Sequence, residues 1–381
     1  MATTKAPADI LVAGGGIAGL AVALALALAR RGARVEVLEQ ARAIAEIGSG
    51  LQITPNGAAV LRGLGLGAAM EATGLRARAI EPFDALSGRR VARFDLGRAG
   101  DDYYFFHRAE LIGLLHEAVL AAGIPIRTGA RVEAVTSQGV RLDDGAELRA
   151  GLVVGADGLH SVVRRHLAGG DAPFFTGQVA WRALVTARQE PVARIWMAPG
   201  RHVVTYPLRD GRLNVVAVRA EAAWTEEGWA HRDSPDNLRR AFSDVCPDLA
   251  GILAKVQEVG RWGLFRHPVP ERWQDGRAVV LGDAAHPTLP FLAQGANLAL
   301  EDAWILAREA VKGDLASYQA QRRDRVRRAL AAANANARNY HLSGPARQAA
   351  LWGLRLIGAV SPETFLRRFD WLYRFDATKP A

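Results

Sequence analysis

Between Ile10 and Ala29 lie twenty consecutive residues without one charged or polar side chain, and no other segment limits the fold so sharply. As one continuous helix they would reach ~30 Å, enough to cross a bilayer. Gly14, Gly15 and Gly16 interrupt the run after the strand-like Ile10-Leu11-Val12, and three glycines suit a tight turn far better than a lipid-facing helix. Lys5 is the only cation ahead of Asp9, so the cationic start of a secretory signal is also missing. The reading is strand, turn and buried helix, the last from about Ile17 to Arg31, with no membrane span.

In that setting Gly14, Gly16 and Gly19 fit the pattern G-x-G-x-x-G. Gly14 permits the turn, Gly16 lets the backbone approach a pyrophosphate, and Gly19 lets helix and strand pack closely, while the free N–H groups of the helix start face the phosphate charge. A second strand, Arg34 to Glu39, follows Gly32, and Glu39 stands twenty residues beyond Gly19, the spacing at which a carboxylate accepts hydrogen bonds from ribose hydroxyls. Glycines and acid together imply a dinucleotide with an unphosphorylated adenosine ribose. FAD and NAD both satisfy that description.

Two later segments repeat the device. Leu152 to Arg164 is an apolar strand running into Asp157-Gly158 and a helix bearing Ser161 and Arg164; Ala278 to Pro287 is another, ending in Gly282-Asp283 ahead of a Pro/Gly loop and a helix that begins near Asn297. A carboxylate at a strand end beside a helix start is well placed for a polyhydroxyl chain. No further G-x-G-x-x-G follows a strand between Arg164 and Ala278, so a separate nicotinamide-binding domain is not expected.

The three motifs, in this order, resemble those of the FAD-dependent aromatic hydroxylases of the para-hydroxybenzoate hydroxylase type. Glu46 to Gln52, Pro55-Asn56, His107-Arg108 and the ending Phe369 to Tyr373 are most similar to the branch holding salicylate hydroxylase, 3-hydroxybenzoate 6-hydroxylase and 6-hydroxynicotinate 3-monooxygenase. The resemblance implies an α/β fold: a Rossmann-like FAD-binding domain (1–75, 100–171 and 275–316), an inserted antiparallel-sheet substrate domain (76–99 and 172–274) and a C-terminal helical segment (317–381). It implies that Gly14, Gly16, Ala18 and Gly19 cradle the pyrophosphate, that Glu39 holds the ribose, that Arg108 reaches the phosphates and that Val132 meets the adenine through its backbone. Asp283 would bind ribityl hydroxyls, with Pro290, Gly295, Ala296 and Asn297 around the isoalloxazine ring and Gln52 at its other side. Asp157 either joins the cofactor site or ties its own turn to a helix.

The resemblance further implies the reaction: NADH or NADPH binds transiently and reduces FAD, molecular oxygen gives a flavin C4a-hydroperoxide, and a small aromatic substrate of the hydroxybenzoate or salicylate kind is hydroxylated. A ubiquinone-pathway type hydroxylase, or one acting on a non-aromatic substrate, is the alternative of the same fold. Residues 172–272 read as alternating short strands, on which Trp181 and Trp196 either wall the flavin or are core residues. His202 and Tyr206, four apart on one strand, share a face and are the candidates for proton transfer at a phenolic hydroxyl, against an ordinary sheet-face pair. His286 is read as orienting backbone, and Phe291 stands where some relatives carry a polar anchor.

Composition narrows the partners. A lone Cys246 can form neither an internal disulfide nor a multi-thiolate metal site, which agrees with a reducing cytoplasm. The formal charge of +9 invites a polyanion, yet only four lysines contribute and the arginines are spread along the chain. The densest run, Arg322 to Arg328, is expected to be a solvated helix face, and nucleic acid is not expected as a partner. Leu351, Leu354, Ile357 and Gly358 form an apolar stripe that must pack on the flavin domain or on a second copy, leaving monomer and homodimer open.

Overall fold

The computed structural model describes residues 8–44, 49–97, 102–170, 172–224 and 231–379. Its first layer is a parallel sheet of five strands in the order Ala278–Val280, Leu152–Gly155, Ile10–Ala13, Val35–Glu39 and Ile126–Thr128. The strands Ala278–Val280, Leu152–Gly155 and Ile10–Ala13 are short and apolar because both faces are covered, whereas Val35–Glu39 carries two acids and the edge strand Ile126–Thr128 is largely exposed. The helix Ile17–Ala29 packs on it with Ile17 and every residue from Gly19 to Leu26 buried. A helix apolar all round is thus a core helix of a globular domain; among the described residues no helix is long and apolar enough to cross a membrane.

The second layer is a mainly antiparallel sheet of eight strands. Its centre runs Val259–Arg266, Phe174–Thr186, Arg212–Ala220, Arg201–Pro207 and Val192–Ala198, with Ala79–Asp84 added in parallel. Register divides its side chains cleanly, since alternate residues of a strand point to opposite faces. One row pairs Ala180, Val218, His202 and Met197; the adjacent row pairs Trp181, Ala217, Val203 and Trp196. Ala180 and Val218 join the core shared with the parallel sheet, whereas Trp181, Trp196 and Val203 pack with Phe242, Leu249 and Leu253 on the far side. The two tryptophans therefore do not wall the flavin: Trp181 Nε1 donates to Asp233 at 2.7 Å and Trp196 stacks on Phe83 with ring centroids 4.4 Å apart.

The helices Gly295–Lys312, Leu315–Tyr340 and Gly344–Val360 follow, and then the short Pro362–Arg367 and Asp370–Tyr373. Of the expected stripe on Gly344–Val360, Leu351 is buried and Gly358 lies against Ala92, while Ile357 is exposed, as are Trp352, Leu356 and Val360. The arginine run corrects the sequence reading in part: Arg327 and Arg328 are exposed as expected, whereas Arg322 and Arg325 turn inward. Arg322 is wholly buried, with its guanidinium 2.6 Å from both Glu301 and Asp302, and Arg325 is 10% exposed and 2.7 Å from Glu301. The charges sit inside because two acidic residues of the neighbouring helix face them; burying such charges is tolerable only when they are paired.

Candidate active site

The three sequence motifs leave the C-terminal ends of three adjacent strands, Ile10–Ala13, Leu152–Gly155 and Ala278–Val280, and Glu39 ends the fourth. This is the edge at which open α/β sheets bind ligands. Backbone bonds bring the turns together: the Gly14 amide donates to Leu38 O at 2.7 Å and the Ala156 amide to Ala13 O at 2.8 Å.

Gly14 has φ +106°, and a Cβ there would lie 2.3 Å from Ala156 O. At Gly19 a Cβ would lie 1.8 Å from Gly14 O, whereas at Gly16 it would meet nothing within 4 Å. Two glycines therefore close the turn and the third opens it, which leaves bare backbone at the helix start where a pyrophosphate can approach. Glu39 accepts the Gly15 amide at 2.6 Å and the Ala41 amide at 2.7 Å, so its carboxylate stands at the mouth of that turn. Ala18 lies under Gly282, whose missing Cβ would meet the Ala18 methyl at 3.0 Å.

Asp157 spends its carboxylate on its own turn, accepting the Ser161 hydroxyl and the Val162 amide, the latter at 2.8 Å. That favours the structural of its two readings. Arg164 then ties this turn to the third motif, donating to Pro268 O at 2.8 Å and Ala285 O at 3.4 Å. Asp283 differs: it is exposed to solvent yet crowded by protein, the condition of a group lining a deep cleft. That crowding raises its pKa, opposed by the charges of His286 and Arg108. Arg108 opens the helix Arg108–Ala121, with its amide bonded to Ser49 O at 3.0 Å. Val132 begins the strand Val132–Thr136 and is buried.

Across the cleft, Asn297 clips the strand Gly50–Ile53 to the start of the helix Gly295–Lys312. Its Oδ1 accepts the Thr54 amide and its Nδ2 donates to Gln52 O, both at 3.0 Å. Gly295, Ala296 and Asn297 are the first residues of that helix, and Pro290 lies in the loop before it. The loop also holds Ala293 at φ +54°, the only non-glycine residue with positive φ among those described. Glu46, Ile47 and Gly48 lie outside the described residues. The Gln52 side chain accepts the Tyr103 hydroxyl.

A buried ionic hub stands behind these loops. Glu301 accepts Asn56 Nδ2 at 2.6 Å, and Asn56 also donates to Gln294 at 3.0 Å. Asp302 accepts the Gly282 amide at 3.0 Å and lies 2.5 Å from His286 Nε2. One buried guanidinium, Arg322, thus bridges the carboxylates that hold the loops on both sides of the cleft, with Arg325 as a second cation on Glu301. The His286 side chain bonds the Asp302 carboxylate and so reaches the Gly282 backbone only through that acid. The signal for this hub was available: Glu301 and Asp302 fall within the apolar stretch of their helix, where unpaired acids would be intolerable.

His202 and Tyr206 both point towards the cleft side of the sheet and are almost completely buried. Burial, helped by the nearby His341, pushes the His202 pKa well down, so its imidazole is neutral at neutral pH. Burial pushes the Tyr206 phenol up, which keeps it protonated. Tyr206 stacks on Phe105 at 5.0 Å between centroids, and its field is shared with Tyr103. His202 packs between Phe291 and Tyr340, with centroids 5.4 and 5.3 Å away. Tyr340, His341 and Tyr373 come from the C-terminal segment; Tyr373 closes the ending noted from the sequence, but Tyr340 and His341 were not singled out, because nothing local marks a residue that meets its partner more than a hundred positions away. Arg182 completes this wall: its guanidinium donates to Ser49 Oγ at 2.7 Å and lies over Trp262.

Residues 7–333 match the family model described as "FAD binding domain". The chain is 42% identical over 308 residues to a 3-amino-4-hydroxybenzoate 2-monooxygenase of Streptomyces cremeus, covering 77% of this chain and 76% of that protein. It is 34% identical over 395 residues to a 3-hydroxybenzoate 6-hydroxylase of Polaromonas naphthalenivorans, covering 96% of each. Among solved structures, HpxO of Klebsiella pneumoniae complexed with FAD and uric acid superposes with a TM-score of 0.79 at 27% identity, covering 94% of this chain and 97% of that one.

Proposed function

The chain belongs to the FAD binding domain family, and on that premise we propose that it is an FAD-dependent, NAD(P)H-consuming monooxygenase that hydroxylates a small hydroxybenzoate-like ring. The observation that carries the reading is the meeting of three strand-end turns on one cleft, opposite a sheet face bearing a neutral histidine and a protonated tyrosine. The residues fit the cofactor: Gly16 leaves room for a pyrophosphate, Glu39 faces the ribose position, and Asp283 lines the cleft where a ribityl chain would run. Gly14, Ala18, Gly19, Arg108 and Val132 complete the adenosine and phosphate side, and Gln52, Pro290, Gly295, Ala296 and Asn297 the ring side. The chemistry FAD supplies when bound is acceptance of a hydride from NADH or NADPH and activation of molecular oxygen.

The protein's own part is to bind, orient and exclude water. The N–H groups at the start of the helix Gly295–Lys312 favour negative charge at the ring side. His202 is placed to accept the proton of a ring hydroxyl, which makes the ring more electron-rich, and Tyr206 to donate a hydrogen bond that fixes its orientation. The apolar neighbours Phe105, Phe291 and Val204 keep water from the reacting atoms. NADH or NADPH is a transient partner in this reading. Cys246 is buried and unpaired, in keeping with a cytoplasmic enzyme. The exposed Trp352, Leu356 and Val360 favour a homodimer over a monomer, which light scattering decides.

The test is a panel: 3-hydroxybenzoate, 3-amino-4-hydroxybenzoate, salicylate, 6-hydroxynicotinate, urate and a prenylated phenol, each added to the yellow protein with NADH or NADPH. Faster NAD(P)H oxidation with a hydroxylated product from a hydroxybenzoate supports the reading. A response to urate or to the prenylated phenol alone would move the chain to another substrate class of the same fold.

A further inference from the structure

His202 has a feature that base chemistry at a buried ring hydroxyl makes consequential. Its Nδ1 lies 2.8 Å from Nε2 of His341, a residue 139 positions away that caps the helix Leu315–Tyr340. Only one proton fits between two imidazole nitrogens at that distance, so each ring dictates the tautomer of the other. The pair is held from both sides: the Gly200 amide, in the turn leading into the strand of His202, donates to His341 O at 3.0 Å, and the His341 amide donates to Arg338 O. His202 is 1% exposed, whereas His341 is only part-buried, so the pair runs from the cleft outward.

We infer that His341 is the outlet for the proton that His202 withdraws from the bound ring hydroxyl, acting through His202 as a positioning and relay residue. The inference rests on the hydroxylase reading. The transfer balances in three moves. The substrate O–H bond breaks as Nε2 of His202 gains a proton; the proton on Nδ1 of His202 passes to Nε2 of His341; the proton on Nδ1 of His341 passes to water. The substrate becomes an anion, one proton enters solvent, and no charge remains on either ring.

Burial makes the outlet necessary. A desolvated imidazole is a poor resting place for charge, and the pKa of His202 is depressed for that reason, with that of His341 pushed down to about 4 by its own burial. A proton accepted by His202 therefore has to move on. The transient charge falls at the C-terminal end of a 26-residue helix, whose dipole favours a cation. The groups facing the pair are Tyr340 on the same helix and Phe291 from the cofactor loop; Tyr340, raised to about 12, stays neutral and cannot take the proton instead.

The FAD-loaded protein is mixed with 3-hydroxybenzoate in weak buffer containing a pH-indicator dye, with no nicotinamide present, and proton release is followed alongside the flavin spectrum that reports binding. Release should slow about tenfold or more in His341→Ala, with 3-hydroxybenzoate affinity nearly unchanged, and free imidazole should restore it. His341→Gln, which fills the site and retains a hydrogen bond, should release slowly and resist rescue; it also replaces the alanine variant should that fail to hold FAD. Release at the wild-type rate in either variant, or slow release that imidazole does not restore in His341→Ala, overturns the inference and leaves the hydroxylase reading intact. A wild-type protein whose flavin spectrum responds to none of the hydroxybenzoates overturns that reading, and the inference with it.

Discussion

The two walls of the cleft are built in different ways. The cofactor wall is backbone: Gly14, Gly16 and Gly19 act through what they lack, within six residues of one another. The opposite wall is side chains, His202, Tyr206, Tyr340, His341 and Tyr373, brought together from a sheet and from helices at the far end of the chain. Short-range geometry makes the first wall rigid and intolerant of change, while the second can exchange one side chain for another and so alter what is bound without altering the fold.

Replacing Gly19 by Ala strikes the backbone wall directly, since the new methyl would overlap Gly14 O. A colourless protein is expected, with FAD affinity lost by a factor of ~100 or more, because either the turn or the helix must shift; absorbance of the purified variant measures it. On the other wall, His202→Asn should keep its yellow colour but lose ~100- to 10,000-fold in substrate hydroxylation, the usual range for a missing proton acceptor. A His202 variant that lost FAD, or a Gly19 variant that kept it, would break the distinction between the walls.

The hub behind both walls comes next. Arg322→Met takes from Glu301 and Asp302 the one guanidinium they share, leaving only Arg325 beside Glu301 and His286 beside Asp302, and should lower stability by about 3–5 kcal/mol, read from chemical denaturation of the holoprotein. Asp302 also predicts a pH dependence: His286 and Arg322 hold its carboxyl well below the usual 3.8, against the opposing effect of burial. Its contribution to stability is then complete above pH ~4 and is lost as the pH falls below that value, so Asp302→Asn should flatten the acid limb of the melting curve. The smallest effect belongs to Trp181→Phe. It removes the hydrogen bond to Asp233 on the far face, costing about 1 kcal/mol, with KM for the aromatic substrate unchanged. A changed KM would return Trp181 to the cleft.

The same contrast explains what could be read from the chain. The Gly14 turn, the Glu39 spacing and the strand ends at Asp157 and Asp283 are local patterns, and the structure brings all four to one edge of one sheet. That His202 and Tyr206 share a face followed from a period of two, while their candidacy came with the resemblance. Which face they shared with what could not follow, because register decides that Trp181 and Trp196 point away, and register is set by pairing across the sheet. Arg322 was misread for a related reason: a charge run looks solvated until the helix opposite supplies Glu301 and Asp302. His341 offered no pattern at all, being defined only by a contact across 139 positions.

Ala293 carries a consequence for engineering. A left-handed backbone penalises any branched side chain, so this position will accept glycine or asparagine readily and valine or isoleucine poorly. Libraries built to reshape the ring pocket should therefore spare residue 293 and spend their diversity on Phe291, whose ring packs against the His202 imidazole.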